Sequence, residues 1–220
     1  MLHYLRELFY ALDFASMSAA VLRVAAIILC MTVHETCHGL AAYALGDPTA
    51  KSMHRLSLNP LRHIDWLGLA LMFVAGFGWA KPVPVDLRYF KKPKQGMALT
   101  ALAGPVSNFV LAFLALLACK AILYMPYSDG CGLAFSFCYY TAILSIGLGV
   151  FNLIPIPPLD GSKVLAVLLP DRFYGTWMHY ERYGMVVLLA LSFAGIGTGV
   201  IDAAINGVYY AMSMLLGMPF

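Results

Sequence analysis

The chain has 220 residues, 61% of them hydrophobic and 11% charged, with a mean hydropathy of +0.79 and a net charge of +3. A soluble domain carries about a quarter charged residues, so this composition excludes an ordinary soluble globule and indicates an integral membrane protein. No basic patch on a soluble module is present to bind nucleic acid, and the five cysteines form no C-x-x-C pair, which argues against a disulfide scaffold or a zinc ribbon.

Residues 1–16 set Leu2, Leu5, Leu8, Phe9 and Leu12 near helical spacing, with Arg6, Glu7 and Asp13 elsewhere. That pattern predicts an interfacial helix, because no small-residue cleavage site follows an apolar core. Residues 17–220 then read as a single membrane-embedded domain. The first span runs from Met17 to Leu45 and is ended by the turn residues Gly46-Asp47-Pro48. Inside it lies His34-Glu35-Thr36-Cys37-His38. On a helix this spacing puts two imidazoles one turn apart on one face, where both can hold one zinc ion, with Glu35 beside it as a candidate base. Such groups cost on the order of a few kcal/mol each if they face lipid, so they need a partner. A divalent cation is one such partner; hydrogen bonds to neighbouring spans are the alternative.

Residues 49–65 form a polar connection in which the alternation of Arg55 to Pro60 predicts a short strand. The apolar stretch from Trp66 to Ala80 is only about fifteen residues, short for a straight span, and reads as re-entrant or partly inserted. Lys81 to Asp86 is held extended by Pro82 and Pro84, which suit a sheet edge. Met97 to Cys119 is an uncharged span containing Gly104, Pro105 and Asn108. Cys131 to Leu159 is another and leads into Asp160-Gly161. Residues 161–182 look interfacial, and Tyr183 to Phe220 holds one long kinked span or a span plus a surface helix. The expected fold is therefore an all-α polytopic membrane protein of about five or six membrane segments, one of them re-entrant, with a short membrane-associated β element. Lys51, Arg55, Arg62, Lys81, Arg88, Lys91, Lys92 and Lys94 all lie between the first span and Met97. Short loops so basic belong on the cytoplasmic side, which brings the zinc motif nearer that side if residues 66–80 re-enter; a true crossing would separate the loops.

A catalytic zinc site needs a third protein ligand. Asp160 is the carboxylate placed to serve: it follows a proline-rich break and precedes Gly161, which lets the chain turn it inward. Its structural alternative is an N-cap for a helix beginning near Ser162. His54, His63 and His179 are runner-up ligands in polar surroundings. Asn108 reads first as an interhelical hydrogen-bonding residue.

Taken together, His34-Glu35-Thr36-Cys37-His38-Gly39, Gly46 to Lys51, Arg55 to Pro60, Gly78 to Val85, Ala103-Gly104-Pro105-Val106-Ser107-Asn108 and the Asn152 to Gly161 run resemble the site-2 protease family of intramembrane zinc metalloproteases. The likeness is to its compact form without PDZ or CBS domains and covers roughly residues 20–165. The chain departs from the pattern at Ser52-Met53-His54, where relatives usually carry a polar residue and Gly. The resemblance implies one zinc per chain, held by His34, His38 and Asp160. It makes Glu35 the catalytic base and Asn152 a donor to the oxyanion or to substrate. It implies a transmembrane protein as substrate, cut in or near its membrane segment, and a multi-pass location in the cell membrane. Zinc activates water for attack on a peptide carbonyl, and an adjacent carboxylate takes the proton, so the chemistry agrees with these assignments. Other readings of the same residues are a zinc hydrolase acting on lipids or small amides, and a zinc transporter or metal-binding scaffold.

Overall fold

The computed structural model describes residues 17–66, 68, 80–126, 128–170, 172, 174, 181–195 and 197–218. The helix expected at 1–16, most of the segment 66–80 and His179 lie outside these residues. The described chain is helical: α1 (Met17–Ala44), α2 (Thr49–Ser52), α3 (Pro93–Leu123), α4 (Asp129–Asn152), α5 (Asp160–Ala166), α6 (Glu181–Phe193) and α7 (Thr198–Leu216). A bilayer core offers no water to backbone N–H and C=O groups, and helices satisfy them internally. Four helices, α1, α3, α4 and α7, are long and apolar enough to cross a membrane. Among the described residues that is fewer than the five or six expected segments: α6 has 13 described residues, and most of the segment 66–80 lies outside them.

The ends of these helices follow local chemistry. Pro93 opens α3, where its missing N–H costs nothing. Ser128 caps α4, its Oγ accepting from the Cys131 N–H at 3.2 Å. Helix α4 stops at Asn152 instead of continuing to Leu159, because Pro155, Pro157 and Pro158 cannot donate to a helical ladder. Between α6 and α7 the chain breaks at Gly195 and Gly197, with φ of 68° and 87°, so the C-terminal region holds two helices and not one kinked span. Lys120 near the end of α3 donates to the Leu216 carbonyl at the end of α7. These two helices therefore finish on the same face of the protein.

Helices α1, α3 and α4 pack against one another, α7 covers α3 and α4, and α5 lies against α3. Small residues permit the close approach of α3 and α4: Ala112, Ala115 and Ala142 are buried with Leu116, Ile146, Ile205 and Leu216.

Among the described residues there is no strand. Ile64 and Ala80 form one isolated antiparallel bridge, and the Lys81 N–H donates to the His63 carbonyl at 2.9 Å. Residues 55–59 do not form the expected strand because side chains take their backbone groups. The Ser57 carbonyl accepts from Thr36 Oγ1 at 3.0 Å and from His63 Nε2 at 2.7 Å, and Asn59 caps the 3₁₀ turn Pro60–Arg62. The bridge has a topological result: the chain leaves at Ile64 and returns at Ala80 to the same place. The loops on either side of 66–80 thus share one face, which carries the eight basic residues from Lys51 to Lys94, while residues 124–128 on the opposite face contain no Lys or Arg.

Candidate metal centre

Helix α1 presents two functional faces. His34 and His38, four residues apart, point toward α3 and α5; Glu35 and Gly39, also four apart, point toward the loops at 50–57 and 81–86. A Cβ on Gly39 would fall 2.5 Å from Leu56 Cδ2 and 3.2 Å from Val83 Cγ1, so the glycine lets these loops press closely against the helix.

Asp160 reaches the histidines because the proline-rich turn after Asn152 doubles back. A Cβ on Gly161 would collide with the Leu153 carbonyl, and only glycine allows that crossing of backbone. His34 Nε2 lies 3.1 Å from Asp160 Oδ2, His38 Nε2 lies 3.2 Å from the same oxygen, and the two Nε2 atoms are 3.0 Å apart. Their rings stand at 88° to each other, so their nitrogens converge without stacking. All three residues are buried, at 5%, 9% and 8% exposure.

This triangle fits zinc on two counts. Ligand atoms about 2.05 Å from a tetrahedral ion stand about 3.3 Å apart, close to the separations found here. The donor chemistry also fits. The Thr100 carbonyl can only accept, so at 2.7 Å from His38 Nδ1 it places the ring hydrogen on that nitrogen. In the neutral ring, Nε2 then turns a lone pair toward the Asp160 carboxylate, and two acceptors 3.2 Å apart need a cation between them. Among the described residues, His34, His38 and Asp160 are the one group of three that could hold a metal ion.

Glu35 sits beside this group, half-buried, with its Oε2 accepting from the Val83 N–H at 2.9 Å. The segment 81–86 that supplies this donor is itself tethered. Arg55 donates to the Lys81 carbonyl at 2.7 Å, and the fully buried Asp47 accepts from the Asp86 N–H at 2.7 Å. Burial pushes the Arg55 guanidinium below its usual range, while the negative charge of Glu35 opposes that shift.

The other sequence candidates are placed differently. Asn152 Nδ2 donates to the Leu148 carbonyl of its own helix at 2.9 Å. His63 is buried and engaged with Ser57, and His54 stands at φ 55° on the loop; neither joins the metal-ligand group. Asn108 instead approaches His34 Nδ1 at 3.2 Å. Thr100, Gly104 and Val83 carry no ligand chemistry of their own, so sequence reasoning passed over them as parts of the site. The recoverable signal was spacing: Thr100, Gly104 and Asn108 repeat every four residues along one face of α3.

Comparison with known proteins places these features in a family. The family model described as Peptidase family M50 matches residues 129–195. A Bacillus subtilis (strain 168) protein named "Putative zinc metalloprotease YwhC" is 40% identical over 188 residues, covering 83% of this chain and 85% of its own length. "Putative zinc metalloprotease Rip2" of Mycobacterium tuberculosis (strain ATCC 25618 / H37Rv) is 31% identical over 180 residues, 79% of this chain and 67% of its own. No solved structure matches the chain.

Proposed function

Because this chain belongs to the site-2 protease family, peptidase family M50, we propose that it is an intramembrane zinc endopeptidase that cuts a peptide bond in or near a transmembrane segment of another protein. One observation carries the reading: a base-like carboxylate stands beside a metal-ligand triangle that is buried among helices of membrane length. In this proposal His34, His38 and Asp160 hold one zinc ion per chain, which when bound supplies the Lewis acidity that polarises a carbonyl and acidifies water.

The protein's own residues do the rest. Glu35 takes the proton of the attacking water and passes it to the leaving amine. The Val83 N–H fixes one oxygen of Glu35 and leaves the other for that proton. Asn152 donates to the developing oxyanion once it releases the Leu148 carbonyl. A transmembrane helix hides its backbone, so substrate must unwind locally before attack. The unwound stretch lies extended along residues 81–86 by strand addition. The basic face is cytoplasmic, so the site lies nearer the cytoplasm.

The test joins metal content to turnover. Detergent-solubilised protein should hold about one zinc per chain, and Glu35→Gln should keep it while losing cleavage of a transmembrane peptide, since an amide cannot accept the proton. Asp160→Ala should lose zinc and His54→Ala should not. Full zinc occupancy in Asp160→Ala would overturn the ligand set. Near-parental cleavage by Glu35→Gln would remove Glu35 as base, and zinc flux without proteolysis in the parent would favour a transporter.

A further inference from the structure

One buried group beside the centre has no part in that chemistry. Asn108 is 0% exposed, its Oδ1 has no hydrogen-bond partner, and its Nδ2 lies 3.2 Å from His34 Nδ1. The two ends of a side-chain amide exchange places by a half-turn of the group. An imidazole that ligates a metal through Nε2 carries its hydrogen on Nδ1 and needs an acceptor there. For His38 that acceptor is the Thr100 carbonyl, at 2.7 Å. We propose that Asn108 is the positioning residue for His34, its amide oxygen accepting the Nδ1 hydrogen and so aiming the Nε2 lone pair at the metal position. This rests on zinc ligation by His34 as proposed above.

The opposite amide orientation has the reverse effect. With Nδ2 donating to Nδ1, the hydrogen of a neutral His34 moves to Nε2 and occupies the face that a metal would use. A half-turn of one amide thus separates a metal-accepting ring from a metal-refusing one. Helix α3 is built to present both acceptors: Thr100 and Asn108 stand two turns apart on one face, and Gly104 between them admits the rings. A Cβ on Gly104 would lie 2.5 Å from His38 Nε2 and 2.6 Å from His34 Cε1.

The experiment measures zinc affinity by competition with a chromophoric chelator, on the full chain in detergent. Asn108→Leu, similar in size but without an acceptor, should bind zinc about 10- to 100-fold more weakly than the parent. Asn108→Asp, which can accept the Nδ1 hydrogen, should stay within about threefold of it. Parental affinity in Asn108→Leu overturns the proposal and leaves Asn108 as interhelical packing, and equal weakening in both variants overturns it too. A parent that binds no zinc would defeat the zinc reading itself, a separate outcome. The parent alone supplies a second measurement, valid whether or not the leucine variant folds. Long-range ¹H–¹⁵N spectra of the zinc-loaded, histidine-labelled chain should show both ligand rings hydrogenated at Nδ1, each hydrogen slow to exchange with water. Rapid exchange at the His34 ring, or ligation through its Nδ1, refutes the assignment.

Discussion

At the scale of single residues, the loop between α1 and the bridge at Ile64 holds a locally unfavourable choice. His54 adopts φ 55°, in the left-handed region where a β-carbon costs about 1–2 kcal/mol. His54→Gly should therefore stabilise the folded chain, by less than that figure because glycine also frees the unfolded chain by about 0.5–1 kcal/mol. His54→Val should destabilise it, since branched side chains tolerate φ > 0 poorly. Thermal melts of the two variants in one detergent will show whether their midpoints move in opposite directions. Val83 offers a sharper test at the site. It stands between two prolines, and its N–H donates to Glu35 Oε2. Val83→Pro deletes that donor and should lower turnover about tenfold or more while zinc content stays constant, because a hydrogen bond to a charged group is worth about 1.5–3 kcal/mol. Val83→Ala keeps the donor and should behave as the parent; equal loss in both variants would assign the effect to the side chain.

Among the elements, α3 carries a tight constraint at the site itself. The space where a Gly104 side chain would stand is filled by the two imidazoles. Gly104→Ala should therefore lower zinc affinity even where it raises helix propensity, and chelator competition beside a helix-content measurement by circular dichroism separates the two effects. How far the elements were legible in sequence depended on where their limits are encoded. Helix α1 was read as Met17 to Leu45 and runs Met17–Ala44, because Gly46 and Pro48 stop it locally. The apolar stretch Cys131 to Leu159 outruns α4, which ends at Asn152, since apolar character continues into a turn whose prolines cannot take part in a helix. The strand expected at 55–59 failed for a different reason: Thr36 and His63 claim the Ser57 carbonyl, and no local pattern announces that. Likewise His34, His38 and Asp160 each stand out in sequence as candidate ligands, whereas the place of Asn108 depends on which helix faces α1.

For the whole molecule, the distribution of charge predicts an orientation. The basic loops share one face and the α3–α4 connection lies on the other, so the positive-inside tendency predicts that the basic face is cytoplasmic. With the five native cysteines replaced, a single cysteine at Lys92 should react with an impermeant maleimide only when the cytoplasmic side is opened. One at Met125 should react in intact cells. The reverse pattern would invert the protein and place the metal centre nearer the outside.

The tethering of residues 81–86 also decides what kind of peptide could lie against them. Pro82 and Pro84 have no N–H, and the N–H groups of Lys81, Val83 and Asp86 are already given to His63, Glu35 and Asp47. Among residues 81–86, Val85 keeps the one backbone donor without a hydrogen-bond partner, so this ribbon meets an arriving chain almost entirely as an acceptor. The visitor must supply the hydrogens. Prolines or N-methyl groups at its pairing positions would cost it its grip, whereas its own carbonyls, asked for little in return, stay uncommitted and open to nucleophilic attack.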